Sequence, residues 1–600
     1  MTRFSKAAWL FLGLPLLFAG SPSWAALGVQ DAPVSQPLER PAGAQPSRLE
    51  LQSRAEAGEA EAQYRLGLDY QFGIGGTPDW PAARAWFGRA AAQAHVKGLG
   101  AYGYMLLSGS GGPQDLPGAE KALRQAAEAG EASAAANLAE LLLLRGEAAE
   151  ARQMLVRAVA GGAVNARYRL GRLEIADGKS AEGLALVEQA VERGHPEATL
   201  YFANLLVGGD LGMKADPARA AKLLRDAAEA GYAPAANDLG RLYDLGIGLA
   251  ADPRQAVDWY RRALGQGNAI AGYNLGLLLN SQRLGAPDAA AARSAYLLSA
   301  EGGFVPGMGK LGEMLLRGRG GPADPAGGIQ WLTRAAEGGD ADAQNHLALA
   351  YFNGNGVARD EAKAMDWWER AVAQQHPASA NNFALYLALG QGRQADPARA
   401  VAVLNGMAEK GLPRPAFRLG LWHEAGFAGL KPDPRAALAW FKRAAEAGSS
   451  RGMFKYASYI EAGEGGVAPD PALAVRLYRQ AAEAGSAEAL FLLARYSFNG
   501  EGVPKDPKAA LDLLQRAARR GNAEALFVLG DFYYRGEGMP ADPVAAWAHW
   551  AVAERLGMAE AGPNRRMLER QIAAPEAQAR ARQLAAALLA EAAAAQADED

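Results

Sequence analysis

The chain has 600 residues, a formal net charge of −3 at pH 7 and no cysteine. The lack of cysteine excludes disulfides, thiol nucleophiles and attachment of a lipid to cysteine. The nearly balanced charge, without clustered lysine and arginine, argues against a nucleic-acid partner.

Residues 1–25 have the pattern of a secretory signal peptide. Arg3 and Lys6 form a charged start, an apolar run from Ala7 to Ala19 follows, and Ser23-Trp24-Ala25 is a small-x-small cleavage site. The apolar run is short for a membrane span, although an uncleaved N-terminal anchor is the alternative. We therefore predict export to the periplasm, without lipidation and without a membrane span after cleavage.

Residues 26–48 are predicted to be a disordered linker, because prolines recur through them and apolar periodicity is absent. These prolines are Pro33, Pro37, Pro41 and Pro46.

A repeat of about 36 residues dominates the chain from residue 49 to residue 557. Its marker is a residue, mostly glycine, that closes a helix, and fifteen such markers bound fourteen repeats. The markers are Gly58, Ala94, Gly130, Gly162, Gly194, Gly231, Gly267, Gly303, Gly339, Gln375, Gly411, Gly448, Gly485, Gly521 and Gly557.

The first half of each repeat reads as an amphipathic helix. Four residues after the marker stands a small residue in every repeat except that of Pro415, and eight residues after it stands Leu, Phe or Tyr. The ninth residue is always Gly or Ala, as in Gly67 and Ala494. At about 100° per residue the fourth, eighth and twelfth positions form one stripe, and the small residues admit a close neighbouring helix.

The second half of each repeat reads as a loop followed by another helix. A Gly-rich loop such as Gly354-Asn355-Gly356 leads to an Asp-Pro pair such as Asp252-Pro253. Aspartate caps a helix start, and proline at the first helical position loses no needed hydrogen bond. The closing glycine then ends the helix.

The repeats resemble the Sel1-like family, which is related to tetratricopeptide repeats. The match is carried by Ala235, Leu239, Gly240, Tyr243, Gly246, Gly248, Asp252, Ala256, Trp259 and Tyr260, and again by Ala525, Leu529, Gly530, Tyr533, Gly536, Gly538 and Asp542. Glu174, His423 and Ser497 depart from the Tyr/Leu position of the family pattern. The resemblance implies an all-α, right-handed α-solenoid of about fourteen helix-turn-helix units.

Two repeats and the C-terminal segment differ from this pattern. The repeats that begin at Gly130 and Gly162 are shorter and lack both the Gly-rich loop and Asp-Pro, so they look like plain tetratricopeptide units. Residues 558–600 are predicted to form an Ala-rich helical cap over the last repeat, ending in an acidic tail.

The sequence carries no clear catalytic, cofactor or metal site. No histidine pair has the helical spacing of a zinc site, and the Gly-x-Gly loops follow helices rather than strands. His95, His195 and His376 lie at or beside closing turns, where a cap or a solvated turn residue is expected. His423-Glu424 is the one adjacent base and acid. We therefore predict neither enzyme activity nor a cofactor.

One candidate surface for a protein partner lies in the last four repeats. Six residues after each marker stand Phe417, Phe454, Phe491 and Phe527. Ten residues after it the chemistry varies, as in Leu421, Arg495 and Asp531. An aligned aromatic row would suit an apolar peptide, whereas packing between neighbouring first helices is the alternative.

Three functions are compatible with these patterns. The first is a non-catalytic interaction scaffold in the cell envelope of a Gram-negative bacterium. The second is a structural subunit of an exopolysaccharide secretion apparatus, which similar alginate-export proteins suggest, although those carry a lipidated cysteine. The third is a β-lactamase-like hydrolase, but the helix-pair disulfides of such relatives cannot form here.

Export can be tested with a fusion of residues 1–30 to a reporter that is active only outside the cytoplasm. We expect reporter activity, and we expect N-terminal sequencing of the full chain to place the mature start near Ala26. Recovery of the uncleaved full chain from the cytoplasm would contradict the prediction.

Overall fold

The computed structural model describes residues 48–74 and 76–599, so the predicted signal peptide and nearly all of the predicted linker lie outside it. Within that range the regular structure is helical and contains no strand. The helices are α1 Arg48–Glu56, α2 Ala60–Phe72, α3 Trp80–Ala92, α4 Val96–Ser108, α5 Leu116–Glu128, α6 Ala132–Leu144, α7 Ala148–Ala160, α8 Val164–Ala176, α9 Ser180–Glu192, α10 Pro196–Gly208, α11 Pro217–Glu229, α12 Ala233–Leu245, α13 Pro253–Gly265, α14 Ala269–Leu279, α15 Ala289–Glu301, α16 Val305–Arg317, α17 Pro325–Glu337, α18 Ala341–Asn353, α19 Glu361–Ala373, α20 Pro377–Leu389, α21 Pro397–Glu409, α22 Pro413–Ala425, α23 Pro434–Glu446, α24 Ser450–Ala462, α25 Pro471–Glu483, α26 Ala487–Asn499, α27 Pro507–Arg519, α28 Ala523–Arg535, α29 Pro543–Arg555, α30 Ala561–Gln571 and α31 Pro575–Glu599.

The helices from α2 to α29 form fourteen consecutive pairs, one for each predicted repeat. In each pair the even-numbered helix comes first, and its partner packs against it. Every one of these helices has 13 residues except α14, which has 11 and is followed by a short 3-10 turn, Gln282–Leu284. The predicted all-α fold, an α-solenoid of helix-turn-helix repeats, is confirmed.

The contacts divide the chain into two compact units, Met1–Gln266 and Gly267–Asp600. The first unit contains α1 to α13, and the second contains α14 to α31. Within each unit the second helix of one repeat also contacts the first helix of the next, as α11 does with α12 and α23 does with α24. Each repeat therefore buries its apolar stripe against its own partner helix and against its neighbours.

The caps that the sequence predicted are present in the structure. Each of the eight Asp-Pro aspartates accepts a hydrogen bond from a backbone N–H of the first helical turn, as Asp216 does from Arg219 at 3.0 Å. The closing turn needs the left-handed backbone conformation, since even Ala94 and Gln375, which replace glycine there, have φ values of 55° and 64°. The geometry of the turn thus outweighs the steric cost to an L-residue.

The ninth position of the first helix sets how closely the two helices of a repeat approach. A Cβ atom added to Gly420 would lie 2.5 Å from the ring of Phe441, and one added to Gly240 would lie 2.8 Å from the ring of Tyr260. Both rings are fully buried, so they have no space in which to move. Glycine at these positions therefore makes room for a large side chain of the partner helix.

The two short repeats lose residues from their loops and not from their helices. Three residues join α6 to α7, and three join α8 to α9, while all four helices keep 13 residues. Glu174, which departs from the family pattern, is buried and forms ion pairs with Arg152 Nε at 2.7 Å and Lys179 Nζ at 3.0 Å. These two cations outweigh burial and hold the pKa of Glu174 below its usual range.

Two helices, α30 and α31, follow the last repeat. Both contact α29, and α31 also contacts α27. Leu568 of α30 and Ala581 of α31 are buried, and Arg565 Nε donates to Glu554 Oε2 at 2.7 Å. These contacts cover the apolar side that the final repeat would otherwise expose.

Two glycine variants test the close approach of the helices. We expect Gly420→Ala to destabilise the chain by about 1–3 kcal/mol, because the added methyl group collides with buried Phe441. The matched control is Gly406→Ala in α21, which is exposed and has no atom within 4 Å of the added Cβ, and it should stabilise by about 0.5–1 kcal/mol. Urea unfolding of both variants measures the difference, and equal midpoints would contradict the packing argument.

Candidate partner-binding surface

The first helix of each repeat has one side that points away from the buried stripe. We call this side the first-helix face. It consists of the third, sixth, seventh and tenth residues after each marker, which cluster on one side of a helix at about 100° per residue. In α24, for example, these residues are Arg451, Phe454, Lys455 and Ser458, and none of them is buried. In several other repeats the sixth residue is buried, as Gly100 and Asn345 are, so the accessible part of this face differs from repeat to repeat.

The four phenylalanines of the predicted row are all half-buried. The ring centroid of Phe417 lies 5.8 Å from that of Phe441, and the ring centroid of Phe454 lies 5.5 Å from that of Tyr478. In both cases the contacted ring belongs to the second helix of the same repeat. The structure thus places Phe417, Phe454, Phe491 and Phe527 at equivalent positions, each packed against the core while part of its surface stays accessible.

The other three predicted surface residues differ in exposure and charge. Leu421 is half-buried against the core, and Arg495 is exposed, with its guanidinium 5.7 Å from the ring centroid of Tyr496. Asp531 is half-buried, and burial raises its pKa. The scaffold is uniform from repeat to repeat while these positions vary, which is the arrangement that selective recognition needs.

Carboxylate–tyrosine contacts between consecutive repeats were not predicted from the sequence. Glu424 of α22 accepts hydrogen bonds from Tyr459 Oη at 3.1 Å and from Lys455 Nζ at 3.0 Å, both on α24. Glu461 of α24 likewise accepts from Tyr496 of α26. The signal in the sequence is a glutamate followed 35 residues later by a tyrosine. These contacts fix neighbouring first helices relative to each other.

The histidines at the closing turns have the capping role that the sequence predicted. The Nδ1 atoms of His95, His195 and His376 accept hydrogen bonds from backbone N–H groups three residues later, at 3.1 to 3.2 Å. The Nε2 atom of His376 also lies 3.0 Å from Asp342 Oδ1 of the preceding repeat. These three histidines therefore cap the N-terminal ends of α4, α10 and α20.

Most of the residues that could take part in catalysis or ligand binding form structural contacts instead. Glu424, the acid of the adjacent pair His423-Glu424, is held by Lys455 and Tyr459. The Gly-x-Gly loop of Gly354 and Gly356 has left-handed φ values of 70° and 74°, as a turn between helices requires. Across the described part of the chain, no cluster of three or more His, Asp or Glu side chains is arranged to hold a metal ion.

Within residues 48–74 and 76–599, no helix is both long enough and apolar enough to cross a bilayer.

Comparison with protein families finds the Sel1 repeat over more than half of the chain. The matched residues are 60–95, 98–131, 198–232, 233–268, 305–340, 341–376, 416–449, 450–486, 487–522 and 523–558. The pairs α6–α7, α8–α9, α14–α15 and α20–α21 fall outside these matches, although they form the same helix pairs.

Solved structures provide several similar chains. A protective antigen of uropathogenic Escherichia coli with an SLR fold is 24% identical, with 92% of this chain and 97% of that chain covered and a TM-score of 0.36. A Sel1 repeat protein from Oxalobacter formigenes is 30% identical, with coverages of 52% and 90% and a TM-score of 0.37. An immunity protein from Pseudomonas aeruginosa is 17% identical, with coverages of 41% and 81% and a TM-score of 0.23. The search of curated proteins gives no match.

Alanine variants separate the two interpretations of the aromatic row. If the row binds a partner, Phe454→Ala with Phe491→Ala should abolish partner recovery while costing well below the roughly 3–5 kcal/mol per ring expected for full burial. Phe441→Ala, which removes a fully buried ring of the same unit, is the control and should show that full cost. Urea unfolding and partner recovery are measured on each variant. A loss per ring equal to that of Phe441→Ala would assign the row to packing.

Proposed function

Because the chain belongs to the Sel1 repeat family, we propose that it is an exported, non-catalytic scaffold that binds protein partners in the cell envelope. Sel1 repeat proteins typically mediate protein–protein interactions, and they are generally non-catalytic. Periplasmic localisation is supported by the signal-peptide pattern of residues 1–25. Envelope proteins, including components of polysaccharide export, are the partners that this localisation suggests.

The variation of side chains along the first-helix face supports the binding role most directly. The first-helix face keeps one backbone geometry from repeat to repeat, while its side chains change from aromatic to aliphatic, cationic and anionic. Half-buried rings such as Phe454 are held by the core, so they lose little conformational freedom when a partner covers them. A row of such anchors, with variable charges beside it, suits selective binding of a polypeptide.

The non-catalytic role is supported by the contacts of Glu424, the acid of the adjacent pair His423-Glu424. Glu424 accepts hydrogen bonds from Lys455 and Tyr459, so it is not placed to orient or deprotonate His423 for general-base chemistry. We expect purified protein to hydrolyse neither β-lactams nor peptidoglycan fragments. Turnover that persists through purification and disappears in His423→Ala would contradict this.

Cross-linking in intact cells tests the scaffold role. The tagged full chain should recover one or more envelope proteins in stoichiometric amounts, and a chain that lacks residues 1–25 should not. Arg476→Gln, on the exposed side of second helix α25, is a control that should recover the same proteins. Equal recovery by the chain without residues 1–25 would argue against an envelope function.

A further inference from the structure

The second helices of three consecutive repeats, α23, α25 and α27, carry an excess of positive charge. Together they contain eight basic and three acidic residues, all of them exposed, which gives a net charge of +5. The whole chain, by contrast, has a formal net charge of −3. We call the eight basic residues the cationic patch. They are Arg435, Lys442, Arg443, Arg476, Arg479, Lys508, Arg516 and Arg519.

The stacking of the repeats brings these cations to one surface. The helices α23 and α25 both contact α24, and α25 and α27 both contact α26. Within their helices the eight cations occupy positions two, six, nine, ten and thirteen, which at about 100° per residue fall within about 100° of one side. The sequence does not show this cluster, because its members come from three stretches of the chain that are separated by first helices.

Few of the cations are neutralised by a neighbouring carboxylate. Lys442 lies 3.9 Å from Glu446, and Arg516 lies 3.8 Å from Asp512, and exposed pairs of this kind contribute little. The aspartates that cap the three helices accept backbone N–H groups, so they offset mainly the partial positive charge of the helix starts. Among the residues that the structure describes, five members of the patch form no side-chain hydrogen bond or ion pair. They are Arg435, Arg476, Arg479, Lys508 and Arg519.

The same layer of helices is nearly neutral earlier in this unit. The four preceding second helices, α15, α17, α19 and α21, have a combined net charge of −1. The acids of α19 are also paired, since Arg393 donates to Asp366 at 2.7 Å and to Glu369 at 2.9 Å. The positive charge is therefore a local feature of the last repeats.

The patch covers an area and has no apolar anchor. Three helices of 13 residues, at about 1.5 Å per residue and about 10 Å between packed layers, span about 20 Å in each direction. The cations lie at different heights on the three helices, so they do not form a single row. Among the described residues, no exposed large apolar side chain lies on α23, α25 or α27. Anything that binds here must therefore be held by charge.

We propose that the cationic patch binds the surface of an anionic lipid bilayer. The summed positive potential of the patch attracts anionic head groups without a specific pocket. Because lipids move laterally, their head groups can match any spacing of cations, whereas a linear polyanion needs cations that follow one another along its path. Since the patch lacks exposed apolar side chains, the chain would rest on the bilayer and not enter it.

This inference goes beyond the scaffold function and does not depend on it. The proposed partner surface lies on first helices, whereas the patch lies on the second helices of the same part of the chain. A protein partner and a bilayer could therefore be bound at the same time, and the chain would hold its partner at a membrane surface. Arg476→Gln alone leaves seven cations in the patch, so it remains a suitable control for the recovery of protein partners.

Sedimentation with lipid vesicles tests the proposal. The chain from Ala26 onward is used, because the apolar run of residues 7–19 would itself enter a bilayer. At low salt it should sediment with vesicles of equal parts phosphatidylglycerol and phosphatidylcholine, but not with vesicles of phosphatidylcholine alone. High salt should release it, since screening weakens the attraction between exposed charges.

A triple variant removes part of the patch. Arg479→Gln, Lys508→Gln and Arg519→Gln together should weaken binding to the phosphatidylglycerol vesicles about tenfold or more. Each cation near an anionic bilayer contributes a factor of about five to the affinity. The three side chains are exposed and unpaired, so the melting temperature of the variant should equal that of the unchanged chain.

Two control variants accompany the triple variant. Lys121→Gln, Arg157→Gln and Lys222→Gln together remove three exposed cations from second helices α5, α7 and α11, outside the patch. This control should bind the vesicles as well as the unchanged chain does. Arg479→Lys with Arg519→Lys keeps the charge of the patch and removes two guanidinium groups. It should also bind fully, because a bilayer responds to charge and not to bidentate geometry.

Several results would overturn the proposal. They are no sedimentation with phosphatidylglycerol vesicles, equal sedimentation with neutral vesicles, and unchanged binding by the triple variant. Loss of binding in the lysine variant would indicate a specific carboxylate site instead. Tighter binding to a uronate oligomer, polyglutamate or an oligonucleotide than to vesicles, at equal concentration of charge, would assign the patch to a soluble polyanion. The scaffold function is judged separately, by the recovery of cross-linked proteins.

Discussion

The close approach of two helices within each repeat is the constraint on which the rest of the structure depends. One first helix can lie against its partner only where its ninth residue is Gly or Ala, as the contact between Gly420 and Phe441 shows. This proximity lets a large side chain fill the space between the helices and become fully buried. Without it, neither helix could bury its stripe, because an isolated helix of 13 residues is only marginally stable in water.

Given that contact between the two helices, the turns serve only to connect one helix to the next at the angle that the packing sets. The closing turn accepts Ala94 and Gln375 in a conformation that favours glycine, so the packing of the helices dictates the turn and not the reverse. The loop within a repeat is freer still, since the short repeats shorten it to three residues while the flanking helices α6 and α7 keep their length. The repeats thus differ in the length of this loop as well as in the side chains of the first-helix face.

The sequence alone was sufficient to predict what repeats along the chain. The spacing of closing residues, the Asp-Pro caps and the small residues each recur many times, and they correctly located fourteen helix pairs. It did not reveal contacts between side chains of different repeats, such as Tyr459 with Glu424, because these depend on how one helix is placed against the next. The candidate surface was only partly visible for the same reason. The phenylalanine row follows the period, whereas the rings that Phe417 and Phe454 contact are known only from the structure.

The positions that specify the fold are largely separate from the exposed positions of the first helix. The closing residue and the fourth, eighth and ninth residues of the first helix are constrained by packing. The third, sixth, seventh and tenth residues are free to change only where they are exposed, since Gly100 and Asn345 at the sixth position are buried. An exposed residue of this face, such as Arg495, can therefore change with little effect on the contact between the helices. The specificity of such an array for its partners can then vary from repeat to repeat while the fold stays the same.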